Sequence, residues 1–332
     1  MKIINLSLIF YFILFFSIVD ASNNTFDEWL LTFKIKAKNN GISEKTFDTS
    51  MGNVKFLPKV IEYDRYQPEF YEDTLTYIKK RTSTSKIKKG VDLYKNNKNL
   101  INSVEKKFNV EKELLLALMG IETNFGKYLG KMDILSSLAT LSFDKRRSEF
   151  FTNELIIILQ LIEKDVIDYE SLYGSWAGAY GNFQFMPSTI KDYAIDYNAN
   201  NRINLKNFDD SFASAANYIN KLGWLKNELC YLKINLKDNT PKILLNTSAK
   251  KIKNKKKIKY LKKFIHNSEN LTLNDNLLAG IITPDKDIVA DSKLLEPAYL
   301  VFSNYELILK WNRSLRFALA VCELKNKFGN EL

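Results

Sequence analysis

The chain has 332 residues, more than one hydrophobic core usually serves, so two domains or one large domain carrying insertions are expected. With 45% apolar, 26% charged and 13% aromatic residues and six prolines, the composition excludes a disordered or fibrous chain. A formal charge of +11 comes with one histidine, His266, and two cysteines. That is too few donors for an ordinary structural zinc site and a poor basis for a histidine triad, so chemistry must rest on carboxylates, hydroxyls, amides or aromatics.

Residues 1–21 read as a secretory signal: a basic start at Lys2, an apolar stretch over 8–19, and a small-residue exit at Val19, Asp20 and Ala21 before Ser22. An uncleaved anchor is the alternative, because the apolar span counted from Ile3 is about long enough to cross a bilayer. No cysteine lies near the exit, so no lipid anchor is expected there. A basic, exported, periplasmic protein follows, which disfavours nucleic acid as a partner and points to anionic envelope polymers or lipid head groups. From residue 22 to 109 apolar positions such as Trp29, Leu30, Phe33 and Ile35 recur at helical spacing, broken at Gly41 and Pro58, which predicts a helical N-terminal domain. From 110 to 227 the helical pattern is strongest, with helices predicted over 110–123, 149–164, 188–197 and 211–222. A glycine-rich loop lies between the second and third. Residues 228–297 change to short strand-like runs (231–236, 243–246) mixed with lysines, which reads as a small β-containing insertion. Nine lysines fall within 250–263, either as a solvated loop or as a patch facing a polymer or membrane. Residues 298–332 return to an apolar, helical pattern. Cys230 and Cys322 either pair in an oxidising compartment or remain two buried thiols.

Three stretches carry groups suited to chemistry. Glu122 ends the apolar run Leu114 to Ile121, and an apolar surround favours the neutral carboxyl that a general acid needs; a solvent-facing helix-end glutamate fits the same pattern. The segment 174–189 packs three glycines into eight residues with Trp176, Tyr180, Phe183 and Phe185, and it offers Ser175 and Gln184 for hydrogen bonds. Such a loop suits sugar rings, and it suits equally a plain turn before a helix opened by Pro187. The stretch 196–207 sets oxygen side chains at Asp196, Asn198, Asn200, Asn204 and Asn207, which are positions 1, 3, 5, 9 and 12 of an EF-hand-like loop. It lacks the twelfth-position glutamate and the sixth-position glycine and carries Arg202 and Lys206. Calcium is therefore a weak expectation and no cofactor is required.

Taken in order, Gly120-Ile121-Glu122-Thr123-Asn124-Phe125-Gly126, the stretch 135–143, the segment 174–188, and Ala216-Asn217-Tyr218 with Gly223-Trp224 resemble the lytic murein transglycosylase B family, glycoside hydrolase family 103. The match is densest over 111–224, weaker in the lead-in, resumes over 299–321, and is slight in 228–297. The resemblance implies a mainly α protein: a lysozyme-like α-helical catalytic core with a helical N-terminal domain and a small β-containing insertion. It also implies Glu122 as sole catalytic acid and base, with Ser175, Gln184, Tyr218 and Asn312 on the substrate. Trp311 and Phe317 stand where the family usually has tyrosines, so stacking is kept there while a hydroxyl is lost. The implied reaction cleaves peptidoglycan between N-acetylmuramic acid and N-acetylglucosamine without water, leaving 1,6-anhydro ends, by a monomer acting on glycan strands.

Two other readings stay open. A hydrolytic muramidase on the same scaffold needs a second carboxylate to place a water, with Asp133, Asp165 and Asp192 as candidates. A non-catalytic peptidoglycan-binding protein needs no acid at all.

Overall fold

Residues 25–66, 72–286, 288–289 and 292–332 are described in the computed structural model, so the leader expected over 1–21 lies outside them. The lead-in is α1 (Phe26–Asn39), α2 (Glu44–Met51), α3 (Pro58–Arg65), α4 (Thr74–Arg81), α5 (Thr84–Asn96) and α6 (Lys98–Phe108). Local chemistry sets several of these starts: Thr25 and Glu28 form a capping box on α1, and Ser43, Asp73 and Ser83 each accept a backbone N–H at the start of α2, α4 and α5. In α1, Trp29 and Phe33 stack one turn apart, with ring centroids 5.2 Å apart. Ile35, counted by its spacing in the apolar stripe, is 64% exposed, because two positions beyond Phe33 falls on the opposite side of a helix.

The centre is built from α7 (Lys112–Thr123), α8 (Ile134–Phe143), α9 (Ser148–Glu163), α10 (Pro187–Tyr193) and α11 (Phe208–Lys221). The third of the helices expected here stops four residues short of 197. Ala194 turns extended, and beyond it the Ile195 N–H is taken by Ser214 and the Tyr197 N–H by Asp210, both at 2.9 Å. A two-stranded ribbon, β1 (Met132–Asp133) with β2 (Tyr173–Gly174), closes the glycine-rich loop.

After α11 the chain forms β3 (Tyr231–Ile234), β4 (Leu245–Asn246), β5 (Lys256–Lys257), the single turn α12 (Ile258–Leu261), β6 (Leu278–Ile282) and β7 (Ala298–Val301). The strand order is β3-β7-β6-β4, with β5 also paired to β6; only the β4–β6 pairing is parallel. Residues 298–301, expected to open a helical return, are thus the central strand β7. All four are buried, and a strand covered on both faces carries the same unbroken apolar run as a buried helix. The return itself is α13 (Ser303–Trp311) and α14 (Leu315–Gly329).

One apolar core runs from Phe33 in α1 through α7, α9 and α11 to Phe328 in α14, and a smaller one lies under the sheet around Ile234, Ile258, Ile281 and Leu300. Helix α7 is the axis of the larger core, packed by α14, α5, α6 and α11. Cys230, beside β3, is disulfide-bonded to Cys322 in α14, which decides between the pair and the free thiols and ties the sheet to the helical core.

Candidate active site

Leu114 to Gly120 are wholly or almost wholly buried, so α7 passes through the core and delivers its last turn to a surface. The helix stops because Asn124 (φ 50°), Phe125 (φ 62°) and Gly126 (φ 79°) are successively left-handed. Buried Thr123 anchors this turn, donating to the Asn182 carbonyl at 2.8 Å and accepting from the Gly126 N–H at 3.0 Å. The Phe125 ring folds back over Gly120, where a Cβ would stand 2.7 Å from it, which is why glycine precedes the acid by two positions. The Asn124 N–H bonds to Met119, and the Gly120 carbonyl receives the Lys86 ammonium instead at 2.7 Å. Burial, with Arg81 and Lys89 nearby, pulls the Lys86 pKa down to about 8.

Glu122 is the half-buried group this turn presents. Its Oε1 accepts a hydrogen bond from the Trp311 indole Nε1 at 2.9 Å, across 189 residues of sequence. Trp311 closes α13 and stacks on Tyr218 with centroids 5.1 Å apart, while Tyr218 lies against Tyr193 at 4.4 Å. Phe185 and Phe183 meet Trp311 edge-on at 5.4 and 6.3 Å. The result is a wall of flat rings beside one carboxylate. Burial, with Tyr193 alongside, holds the Tyr218 phenol above its ordinary pKa, so it stays a neutral donor.

The glycine-rich loop is the floor. Tyr180 and Phe185 exchange two backbone bonds of 2.9 Å, and between them Gln184 takes φ 52°. The Gln184 amide donates to the Gly181 carbonyl at 2.9 Å and to the Leu129 carbonyl at 3.3 Å. Ser175 is half-buried, with Oγ accepting the Ala179 and Ala177 N–H groups at 2.9 and 3.3 Å. Asn312 is the C-cap of α13, next to Trp311. Phe317 is not brought to this surface. It is 4% exposed within α14 and belongs to the core, so the stacking expected of it has no accessible face. Sequence reasoning missed Tyr193, Lys86 and Asn182. Asn182 is 1% exposed, and its amide bonds the Lys206 carbonyl and the Ser211 hydroxyl while its carbonyl holds Thr123. Only its place between Gly181 and Phe183 signalled it.

The sequence pattern of the transglycosylase SLT domain matches residues 25–326. The chain belongs to that family. Among curated family relatives, membrane-bound lytic murein transglycosylase B of Escherichia coli is 37% identical over 155 residues, which is 46% of this chain and 43% of that one, so the aligned part spans less than half of the relative. SltB3 of Pseudomonas aeruginosa, solved with NAG-NAM-pentapeptide, superposes with a TM-score of 0.81 at 27% identity, covering 92% of this chain and 80% of that one. The Escherichia coli lytic transglycosylase Slt35, solved with calcium, gives 0.76 at 27% identity, covering 94% and 95%. These superpositions extend the helical transglycosylase fold across nearly the whole chain.

The EF-hand-like spacing of 196–207 makes that loop the place to ask whether calcium fits this chain. Asp196 accepts the Asn200 and Asn201 N–H groups at 3.1 and 2.7 Å, Asn200 accepts that of Arg202, and Asn204 that of Lys206. Asn207 caps α11 through the Asp210 N–H, and Arg202 pairs with Asp165 at 2.6 Å. One carboxylate, a twelfth-position amide engaged in capping and a cation inside the loop do not fit a divalent ion. The loop closes on its own hydrogen bonds. Among the described residues, no group of three or more His, Cys, Asp or Glu side chains is placed to hold a metal.

Proposed function

We propose that this protein is a lytic transglycosylase of peptidoglycan, breaking the β-1,4 bond between N-acetylmuramic acid and N-acetylglucosamine and leaving 1,6-anhydro-N-acetylmuramic acid ends. The observation that carries the reading is the single carboxylate of Glu122, delivered by a buried helix and held by Trp311 beside stacked aromatics, in a chain of the transglycosylase SLT family. Protonated Glu122 gives its proton to the bridging oxygen, and the substrate's own acetamido oxygen meets the positive charge growing at C1. Ionised Glu122 then takes the proton from the C6 hydroxyl as that oxygen closes on C1, so no water is consumed and no metal is needed. Tyr218 and Trp311 offer flat faces to the sugars; Ser175, Gln184 and Asn312 offer the polar contacts. The peptidoglycan fragment named with SltB3 supports glycan strands as the substrate.

The hydrolytic alternative loses its candidate second carboxylates. Asp133 caps α8, Asp165 is a surface ion pair with Arg202, and Asp192 is exposed on α10. We place the reaction in the periplasm on the basis of the leader-like first 21 residues. Among the described residues no helix is long and apolar enough to cross a membrane. The test is mass spectrometry of fragments released from purified peptidoglycan, with Glu122→Gln alongside. Anhydro products from the wild type and none from the variant are expected. Products heavier by one water would move the reading to hydrolysis, and no release from either protein would move it to binding alone.

A further inference from the structure

Residues 228–297 hold fourteen lysines and eight acidic residues, a surplus of six in a chain whose net charge is +11. The structure sets the lysines of 250–259 along one edge of the sheet, while residues 264–266 bond to Asn235 and Lys237 beyond β3. Strands β4 and β5 lie end to end along β6, pairing with residues 281–282 and 278–279. The connection between them is pinned back, because Asn246 bonds the backbone of Lys253 in both directions and Asn254 bonds the Ile243 carbonyl at 2.7 Å. The lysine run is therefore ordered structure attached to β6. Of its nine lysines, Lys255 pairs with Glu306 and Lys262 with Asp275; the other seven have no carboxylate partner among the described residues.

Apolar side chains stand out of the same strip. Ile243 is 72% exposed, Leu278, directly opposite Lys257 in the β5–β6 register, 53%, and Tyr260, in the turn after β5, 37%. Scattered exposed apolar residues are ordinary, but an isoleucine, a leucine and a tyrosine set among unpaired lysines form a combined pattern. A carboxylate-bearing glycan would answer the charge and gain nothing from the aliphatic groups. A bilayer surface answers both, with anionic head groups for the lysines and the acyl boundary for the apolar side chains.

We infer that this sheet edge is a docking surface for an anionic phospholipid membrane, held by the unpaired lysines of 250–259 and by Ile243, Leu278 and Tyr260. The Lys255–Glu306 ion pair, 2.6 Å long, joins the strip to α13, the helix that ends in Trp311, so docking fixes the position of the cleft relative to the lipid surface.

The test is co-sedimentation of the full chain with vesicles of phosphatidylglycerol and phosphatidylcholine, against phosphatidylcholine alone and against purified peptidoglycan. Each lysine held near an anionic surface is worth about fivefold in partition, so the quadruple variant K250Q/K251Q/K256Q/K259Q is expected to lose several hundredfold on anionic vesicles. The double variant Ile243→Ser/Leu278→Ser is expected to lose about tenfold or more, in a component that persists at high salt. Wild type and variants carry the same N terminus, so its apolar stretch contributes equally to all. Release of fragments from solubilised glycan is expected to be unchanged in both variants, which also shows that they fold. Equal partition of wild type and quadruple variant on anionic vesicles overturns the inference. Lysine-dependent binding to peptidoglycan with none to vesicles overturns it in favour of a polymer partner.

Discussion

Replacing Trp311 by phenylalanine removes one donor and leaves an aromatic ring. The lost contact is the 2.9 Å hydrogen bond to Glu122, while the stack on Tyr218 at 5.1 Å is largely retained. A hydrogen bond to a charged group is worth about 1.5–3 kcal/mol net, and a half-buried acceptor that water can reach belongs at the lower end. About 1.5 kcal/mol in the transition state is about a tenfold loss in kcat/KM. Because the bond orients the acid and does not grip the sugar, the loss is expected in kcat, with KM changed less than about twofold. Initial rates of anhydro-end release from peptidoglycan measure this, with the melting temperature followed in parallel. An unchanged kcat would falsify the orienting role, and a large fall in melting temperature would trace the lost activity to folding.

Glu111 supports the other end of α7. Burial pushes its carboxyl pKa up, but the Asn227 N–H, Lys325 and the Trp224 indole outweigh that and hold it below the usual carboxylate range. Its stabilisation is thus fully present above the unfolded pKa near 4.5 and is lost as pH falls through the lower folded value. Glu111→Ala is expected to cost about 3 kcal/mol at pH 7, as leaving a buried partner unpaired does, with the gap to wild type narrowing below about pH 4; urea midpoints with no such narrowing refute it. Joining residues 92 apart, the Cys230–Cys322 bond is expected to add about 4–5 kcal/mol in the chain-entropy model, and a double alanine variant with an unshifted urea midpoint would show otherwise. Millimolar calcium is expected to leave the melting temperature where a chelator leaves it. A rise of several degrees would mean that the 196–207 loop takes the ion despite Arg202.

Much of the helical architecture was legible because its signals are local. The seven apolar residues before Glu122, the glycine two positions ahead of it and the Asn-Phe-Gly turn after it specify a core helix ending in an acid. β7 was hidden because Ala298 to Val301 are buried on every side, and such a run carries no period that separates strand from helix. Ile35 was misplaced because hydrophobicity was counted without its angle around the helix. The Trp311–Glu122 bond and the Lys86 cap on Gly120 join residues far apart in the chain, and nothing in either neighbourhood announces the partner. Phe317 was assigned to the cleft because the family resemblance sets a tyrosine at its position, yet the turn through Asn312 and Ser314 between α13 and α14 sends it into the core.

The packing of α14 against α7 has a consequence for how the protein is made. Phe328 sits so close over α5 that a Cβ on Gly90 would come within 2.3 Å of its ring, and Trp311 reaches Glu122 from the same terminal segment. Until α13 and α14 emerge, α7 has an uncovered apolar flank and its glutamate has no indole. Synthesis therefore supplies the cover of α7 and the partner of its acid together, long after α7 itself. A nascent chain that has not yet delivered α13 and α14 is expected to be aggregation-prone and to lack the group that orients its acid.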